Sequence, residues 1–160
     1  MMEIERKWLV RPEDIPYDLS SLQALFLRQA YVSFSPVVRV REVNGGEKTI
    51  LTIKRPTSAG AIASEEAEME IDTGTGLFLF SNASGNIICK TRYLHPLSSG
   101  LVEEIDVFSG ALRGLAYLEI EFPDLSSAQA YPDPDWVAAD VTGDVRYKNS
   151  ALAQHGIPSS

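Results

Sequence analysis

From its start to Pro123 the chain alternates hydrophobic and polar positions with a period of two. That is the period of strands, whose successive side chains point to opposite faces. Residues 3–10 read as a first strand, with Ile4, Arg6 and Trp8 alternating against Glu3, Glu5 and Lys7. Pro12 and Pro16 break it, and 13–24 reads as a short helix or turn with Leu19 and Leu22 on one side. Strands follow at 26–35 and 37–43, and Asn44-Gly45-Gly46 predicts a hairpin into a strand at 47–55, because these residues tolerate positive φ. The small residues of 56–64 predict a mobile loop, 65–72 a fifth strand, and 75–83 a helix packing through Leu77, Phe78 and Phe80. Further strands are expected at 86–94, 101–108 and 115–123. In the Pro-, Asp- and Ala-rich tail, Trp136 and Val137 are expected to anchor the chain before a closing helix over 146–154. About eight strands, few helices and no βαβ rhythm predict a mainly β (α+β) fold: one domain over 1–160, built as an eight-stranded antiparallel barrel, closed or nearly closed, with a few covering helices.

Composition narrows the classes. With 160 residues, 44% of them hydrophobic, the chain can build a sizeable core. A net charge of -8 argues against duplex nucleic acid as the main partner. The single cysteine, Cys89, excludes an internal disulfide. No stretch approaches the roughly 20 apolar residues of a membrane span, and charges stand where a signal peptide carries its apolar segment, so a cytoplasmic protein with no membrane partner is expected. His95 reads as a turn residue before Pro96 and His155 as a tail residue, which leaves no zinc set. No glycine-rich phosphate loop is present.

The charged positions change the picture. Charges alternating with apolar residues ordinarily mark a half-buried strand whose polar face meets water. Such a face mixes signs, because like charges on neighbouring positions repel. Here the signs are segregated by strand. Arg39 and Arg41, and Lys90 and Arg92, are purely basic; Glu66, Glu68 and Glu70, Glu104 and Asp106, and Glu119 and Glu121 are purely acidic. The pattern makes sense if the ionic faces line the barrel interior, which in an eight-stranded barrel holds side chains or one small ligand. Lys7, Arg39, Arg41, Lys54, Lys90 and Arg92 would then neutralise a polyphosphate, with arginine able to grip phosphate bidentately. Glu3, Glu5, Asp106, Glu119 and Glu121 would hold a hard divalent cation, since carboxylates and phosphates in one cavity repel unless a metal bridges them. Cys89, on the face opposite Lys90, reads as a small hydrophobe, and Trp8 and Trp136 as packing on the barrel exterior.

Glu-Ile-Glu-Arg-Lys at Glu3 to Lys7 resembles the ExExK signature of the CYTH superfamily, the triphosphate tunnel metalloenzymes. The resemblance continues in order through Gln29 to Tyr31, Arg39 to Arg41, Leu51 to Lys54, Glu66 to Glu68, Lys90 to Tyr93, Glu104 to Phe108, Leu118 to Glu121 and Arg146 to Asn149. ExExK alone is a weak pattern; the ordered set is specific. The resemblance implies an antiparallel tunnel binding a triphosphate with Mg²⁺ or Mn²⁺. It implies metal-side carboxylates at Glu3, Glu5, Asp106, Glu119 and Glu121, and phosphate-side cations at Lys7, Arg39, Arg41, Lys54, Lys90 and Arg92. Glu66 and Glu68 match the family's mid-chain acidic pair, an additional acidic site. Three positions depart from the pattern: Ser64 where relatives often carry arginine, Glu103 where a tryptophan is common, and Asp140 where a glutamate is common.

The reaction implied is metal-assisted hydrolysis of a terminal phosphoanhydride, with inorganic tripolyphosphate yielding pyrophosphate and orthophosphate. Lys54 and Tyr31 are the candidates to orient or deprotonate the water; a lysine base would need its pKa depressed by cationic neighbours. Rival readings are a class IV-type adenylate cyclase, a thiamine triphosphatase and a non-catalytic triphosphate- or polyphosphate-binding module. The choice of triphosphate, of Mg²⁺ or Mn²⁺, and of monomer or homodimer stays open at this level.

Overall fold

In a computed structural model that describes residues 1–57 and 60–159, the alternating segments pair into one antiparallel sheet. Its strands are β1 (Met2–Leu9), β2 (Gln23–Phe34), β3 (Val37–Val43), β4 (Lys48–Thr57), β5 (Gly60–Glu70), β6 (Ser84–Pro96), β7 (Val102–Ser109) and β8 (Ala116–Glu121), with a two-residue β9 (Ala139–Asp140). The spatial order is β5-β4-β3-β2-β6-β7-β8-β1, and β1 returns to β5 through Met2↔Glu65, Glu3↔Ser64 and Ile4↔Ala63. The ring is closed. Three helices accompany it: α1 (Thr73–Ser81), α2 (Leu125–Ala130) and α3 (Asn149–His155). Asp72 and Asp124 start the first two, each side chain accepting a hydrogen bond from a backbone N–H three residues on. The β3–β4 hairpin turns through Asn44, Gly45 and Gly46 at φ 50°, 73° and 102°.

Two clusters of apolar side chains fix which face is which. The first lies outside the barrel, where Trp8, Ile105, Leu118 and Ile120 are fully buried. It is covered by Ile15, Tyr17 and Leu19 from the β1–β2 connection, by Ala128 and Tyr131, and by Trp136 and Val137. Arg6 ties this cover down, donating to the carbonyls of Ala128 and Tyr131 and to the carboxylates of Asp133 and Asp140 at 2.8–2.9 Å. The cover is incomplete elsewhere: Ile53 on β4 and Met69 on β5 are exposed.

The second cluster is inside. Tyr31, Ile88, Phe108 and Tyr117 are inward-facing residues, one strand repeat beyond Gln29, Lys90, Asp106 and Glu119, and they pack with Leu112, Leu115, Leu152 and Ala153. The barrel interior is therefore ionic at one end and apolar at the other, and α3 inserts Leu152 and Ala153 into the apolar end. Gly85 admits it: at φ 75°, an added Cβ would lie 2.6 Å from the Ala153 carbonyl oxygen.

Some boundaries differ from the pattern-based expectation, each because a partner outranks local preference. The 13–24 segment forms two 3-10 turns, Pro12–Asp14 and Leu19–Ser21, and no α-helix, and β2 begins at Gln23 because Gln23 and Ala24 pair with Leu94 and Tyr93. The predicted loop over 56–64 is largely strand, because β4 and β5 continue to pair and β5 closes the barrel on β1. Its residues 58–59 lie outside the described residues. His95 is a strand residue opposite Glu103, not a turn residue. The closing helix begins at Asn149, after a 3-10 turn at Val145–Tyr147. The tail also adds β9 beside Trp8 and Leu9, an edge pairing that two residues of sequence do not announce.

Candidate active site

The ionic half of the interior encloses a cavity of about 580 Å³. That size falls within the roughly 300–1,000 Å³ of small-ligand sites. Glu3, Glu5, Lys7, Arg39, Arg41, Lys54, Lys90, Arg92, Glu119 and Glu121 line it, with Tyr31, Glu66 and Glu68. Every residue assigned a metal-side, phosphate-side or water-positioning role from the sequence lines the cavity except Asp106. Seven different strands bring them together, because one parity on each strand is inward.

Asp106 faces inward but lies beneath Lys90 and Arg92, between the cavity and the apolar end. It is fully buried, its carboxylate held by Lys90 at 2.7 Å and by Arg92 Nε and Nη2 at 2.8 and 2.9 Å. Burial alone would raise its pKa, but Arg92 and Lys90 outweigh burial and hold the carboxyl well below the usual range. Arg92 also reaches Glu104 at 3.1 Å, and Glu119 only at 3.7 Å. Both of its oxygens are engaged by cations and it has no share in the cavity surface, so in this structure Asp106 anchors Lys90 and Arg92.

The other cations fall into two groups. Lys54 is ion-paired with Glu3. Its pKa is raised: burial works to lower it, but the Glu5 and Glu3 carboxylates more than offset that. A lysine base needs the opposite surroundings. Lys7, Arg39 and Arg41 are different, for none has a carboxylate within hydrogen-bonding distance among the described residues. Lys7 donates to the Tyr147 carbonyl at 3.2 Å and lies 4.9 Å over the Tyr117 ring. Arg41 donates Nε to Gln29 at 2.9 Å. Arg39 donates to Thr52 at 3.2 Å, stands 3.9 Å from Glu68, and leaves its buried Nε without a partner. Burial, then repulsion from Arg39 and Arg92, pushes the Arg41 guanidinium down to about 9. Burial also pushes Lys90 down to about 8, against the pull of Asp106. An anion in the cavity relieves all of these costs.

The carboxylates show the complementary strain. Burial, then repulsion from Glu119 and Glu3, raises Glu5 well above the usual carboxyl range. Glu119 is lowered: burial and Asp106 oppose this, but Lys7 and Arg92 prevail, while its Oε1 stays buried with no hydrogen-bond partner. Burial and the neighbouring Glu3 raise Glu66 and Glu121 as well. Among the described residues no three acidic, thiol or imidazole side chains converge into a ready-made metal cage. Mg²⁺ takes one or two carboxylates and completes its shell with water and phosphate oxygens, so the strained Glu5 and the orphaned Glu119 oxygen suit such a cation.

A scan against family models finds no match. Individual proteins do match. The chain is 37% identical over 154 residues to an inorganic triphosphatase of Nitrosomonas europaea, covering 96% of this chain and 97% of that one. The chain belongs to the inorganic triphosphatase family. A second member, from Acetivibrio thermocellus, is 36% identical over 156 residues, covering 96% of this chain and 94% of its own. A solved inorganic triphosphatase structure superimposes with a TM-score of 0.67 at 36% identity, covering 98% of this chain and 97% of that one.

The inorganic triphosphatase cavity of this chain also contains residues the sequence pattern left aside. Glu104 lines it beside Glu119, its partner in register. The alternation pairs Glu104 with Asp106 but assigns Glu104 no role in the site. Ser64 lines it too, its hydroxyl 3.4 Å from Glu3. Lys148, Asn149 and Ser150 reach it from the start of α3, which no strand periodicity could have signalled.

Proposed function

We propose that this chain hydrolyses inorganic tripolyphosphate to pyrophosphate and orthophosphate within a triphosphate tunnel of the CYTH type, with Mg²⁺ or Mn²⁺. The observation that carries the reading is that Lys7, Arg39 and Arg41 are withdrawn into a cavity where, among the described residues, no carboxylate comes within hydrogen-bonding distance of them and the nearest to Arg39, Glu68, stands at 3.9 Å. An unpaired cation out of water costs several kcal/mol after relaxation. A polyanionic ligand removes that cost for all of them at once.

In this reading Lys7, Arg39 and Arg41 grip the phosphate chain, and Lys90 and Arg92, held in place by Asp106, offset charge building on the departing pyrophosphate. Glu3, Glu5, Glu119 and Glu121 would hold the cation, which would offset phosphate charge and favour deprotonation of the attacking water. Water attacks the terminal phosphorus, the bond to the bridging oxygen breaks, pyrophosphate leaves with that oxygen, and the water's proton is lost to solvent. Lys54, with its proton held by Glu5 and Glu3, donates a hydrogen bond to position the water rather than acting as a base. Tyr31 stands at the cavity floor, its hydroxyl accepting from Gln29 at 3.0 Å, and positions from below. Glu66 and Glu68 face the cavity across from Lys54 and Thr52 as further carboxylates toward the cation. A cytoplasmic monomer or homodimer is part of the same proposal.

The test is direct. Incubated with tripolyphosphate and Mg²⁺ or Mn²⁺, the protein releases orthophosphate and leaves pyrophosphate. No release anywhere between pH 7 and 10 removes the hydrolase reading, and cyclic AMP formed from ATP would move it to cyclisation.

A further inference from the structure

The start of α3 does more than close the barrel. The Asn149 side-chain oxygen accepts from Lys90 Nζ at 3.0 Å and from Gln29 Nε2 at 3.2 Å. Gln29 is fully buried, and its own oxygen accepts from Arg41 Nε at 2.9 Å while its nitrogen also donates to the Tyr31 hydroxyl. One acceptor on a C-terminal helix therefore sits at the junction of two strands' worth of cavity cations. On the same segment, the Tyr147 carbonyl accepts from Lys7 at 3.2 Å and from the Tyr117 hydroxyl at 2.8 Å.

We infer that Asn149 is a positioning residue, which aligns Lys90 directly and Arg41 through Gln29 for the anion, so that docking of α3 completes the binding site. The inference rests on the anion-binding reading above. The chemistry is simple. A lysine ammonium on a long flexible stem has three donors, and its direction is set by the acceptors it finds. Asp106 takes one donor from beneath the cavity surface. Asn149 takes a second from the cavity side, and this leaves the third for a ligand oxygen. Gln29 is likewise oriented only when both ends are engaged, because an amide flipped end for end would present its nitrogen to the Arg41 guanidinium. The Asn149 oxygen fixes that orientation and so keeps Arg41 Nε occupied, with the guanidinium Nη groups turned to the cavity. The backbone of α3 is held by other means, through Leu152 and Ala153 in the apolar end. Alignment and docking are therefore separable.

A double-mutant cycle read by calorimetry of metal-free tripolyphosphate binding tests this. Asn149→Ala is expected to weaken binding about tenfold, a charge-assisted hydrogen bond's worth. In a Lys90→Met background the same change is expected to weaken it less than threefold. Equal losses in both backgrounds, or no loss in either, overturn the proposal. Hydrogen exchange on Asn149→Ala alone gives an answer even if Lys90→Met does not fold. Protection of α3 amides as in the parent, together with weaker binding, supports positioning; α3 amides that lose protection show a purely structural role and overturn it. Because binding is read without metal or turnover, a parent protein that binds tripolyphosphate but releases no phosphate removes the hydrolase reading and leaves this one standing. A parent that binds tripolyphosphate neither without metal nor with Mg²⁺ removes both.

Discussion

Arg41 concentrates the tension of this site in one side chain. Its guanidinium is buried beside two other arginines, and a neutral glutamine is its hydrogen-bond partner. Nothing in fold stability favours that arrangement, so the site trades stability for ligand binding, as functional sites commonly do. Arg41→Met should therefore separate the two. Tripolyphosphate affinity is expected to fall ten- to a hundredfold, in line with about 1.5–3 kcal/mol for a charged hydrogen bond. The melting temperature is expected to stay level or rise, because repulsion from Arg39 and Arg92 is relieved. Calorimetric titration and a thermal melt on the same sample check both, and a large drop in melting temperature would show that Arg41 is structural. Asp106 is the opposite case, a carboxylate whose two oxygens are fully engaged by its cationic neighbours. Sequence spacing placed it on the inward face with Glu104, but only its depth beneath the cavity surface shows that its oxygens are held by Lys90 and Arg92.

At the scale of elements, α3 carries consequences that strand periodicity hides. Its insertion depends on Gly85, whose positive φ and 2.6 Å approach to Ala153 leave no room for a methyl group. Gly85→Ala is expected to destabilise the protein by more than about 1 kcal/mol, since alanine at positive φ adds strain to the steric clash. The displaced helix would expose the tail after Lys148, so limited proteolysis should clip it there in the variant and not in the parent. Unchanged melting and an uncut tail would show that α3 is docked independently of Gly85. The strands themselves were legible because a period of two lies directly under them. Their ends were not: 56–64 has the small-residue composition of a loop, and becomes strand only because β4 on one side and Glu3↔Ser64 pairing on the other provide partners. Nor was the apolar half of the interior legible, because Leu9, Val37, Ile88 and Phe108 look like ordinary core residues until the closed ring shows which face they share with Lys7, Arg39, Lys90 and Asp106.

For the whole molecule, the account is that a closed sheet turns alternating charge inward and uses its outer face, the tail and α2 to hide the apolar parity. The segregation of acidic from basic strands carried that conclusion in the sequence; the closed ring places β1, β4 and β8 so that Glu3 and Glu5 stand beside Lys54 and Glu121. No helix is long and apolar enough to cross a membrane among the described residues. The measurement that tests the central claim most directly is a crystal soaked with Mn²⁺ and tripolyphosphate, recorded at a wavelength where manganese scatters anomalously. The account predicts an anomalous peak within coordination distance of Glu5 and Glu119, with phosphate density running from it to Lys7, Arg39 and Arg41. Metal and phosphate density confined to the outer surface of the barrel, with the cavity filled only by water, would contradict it.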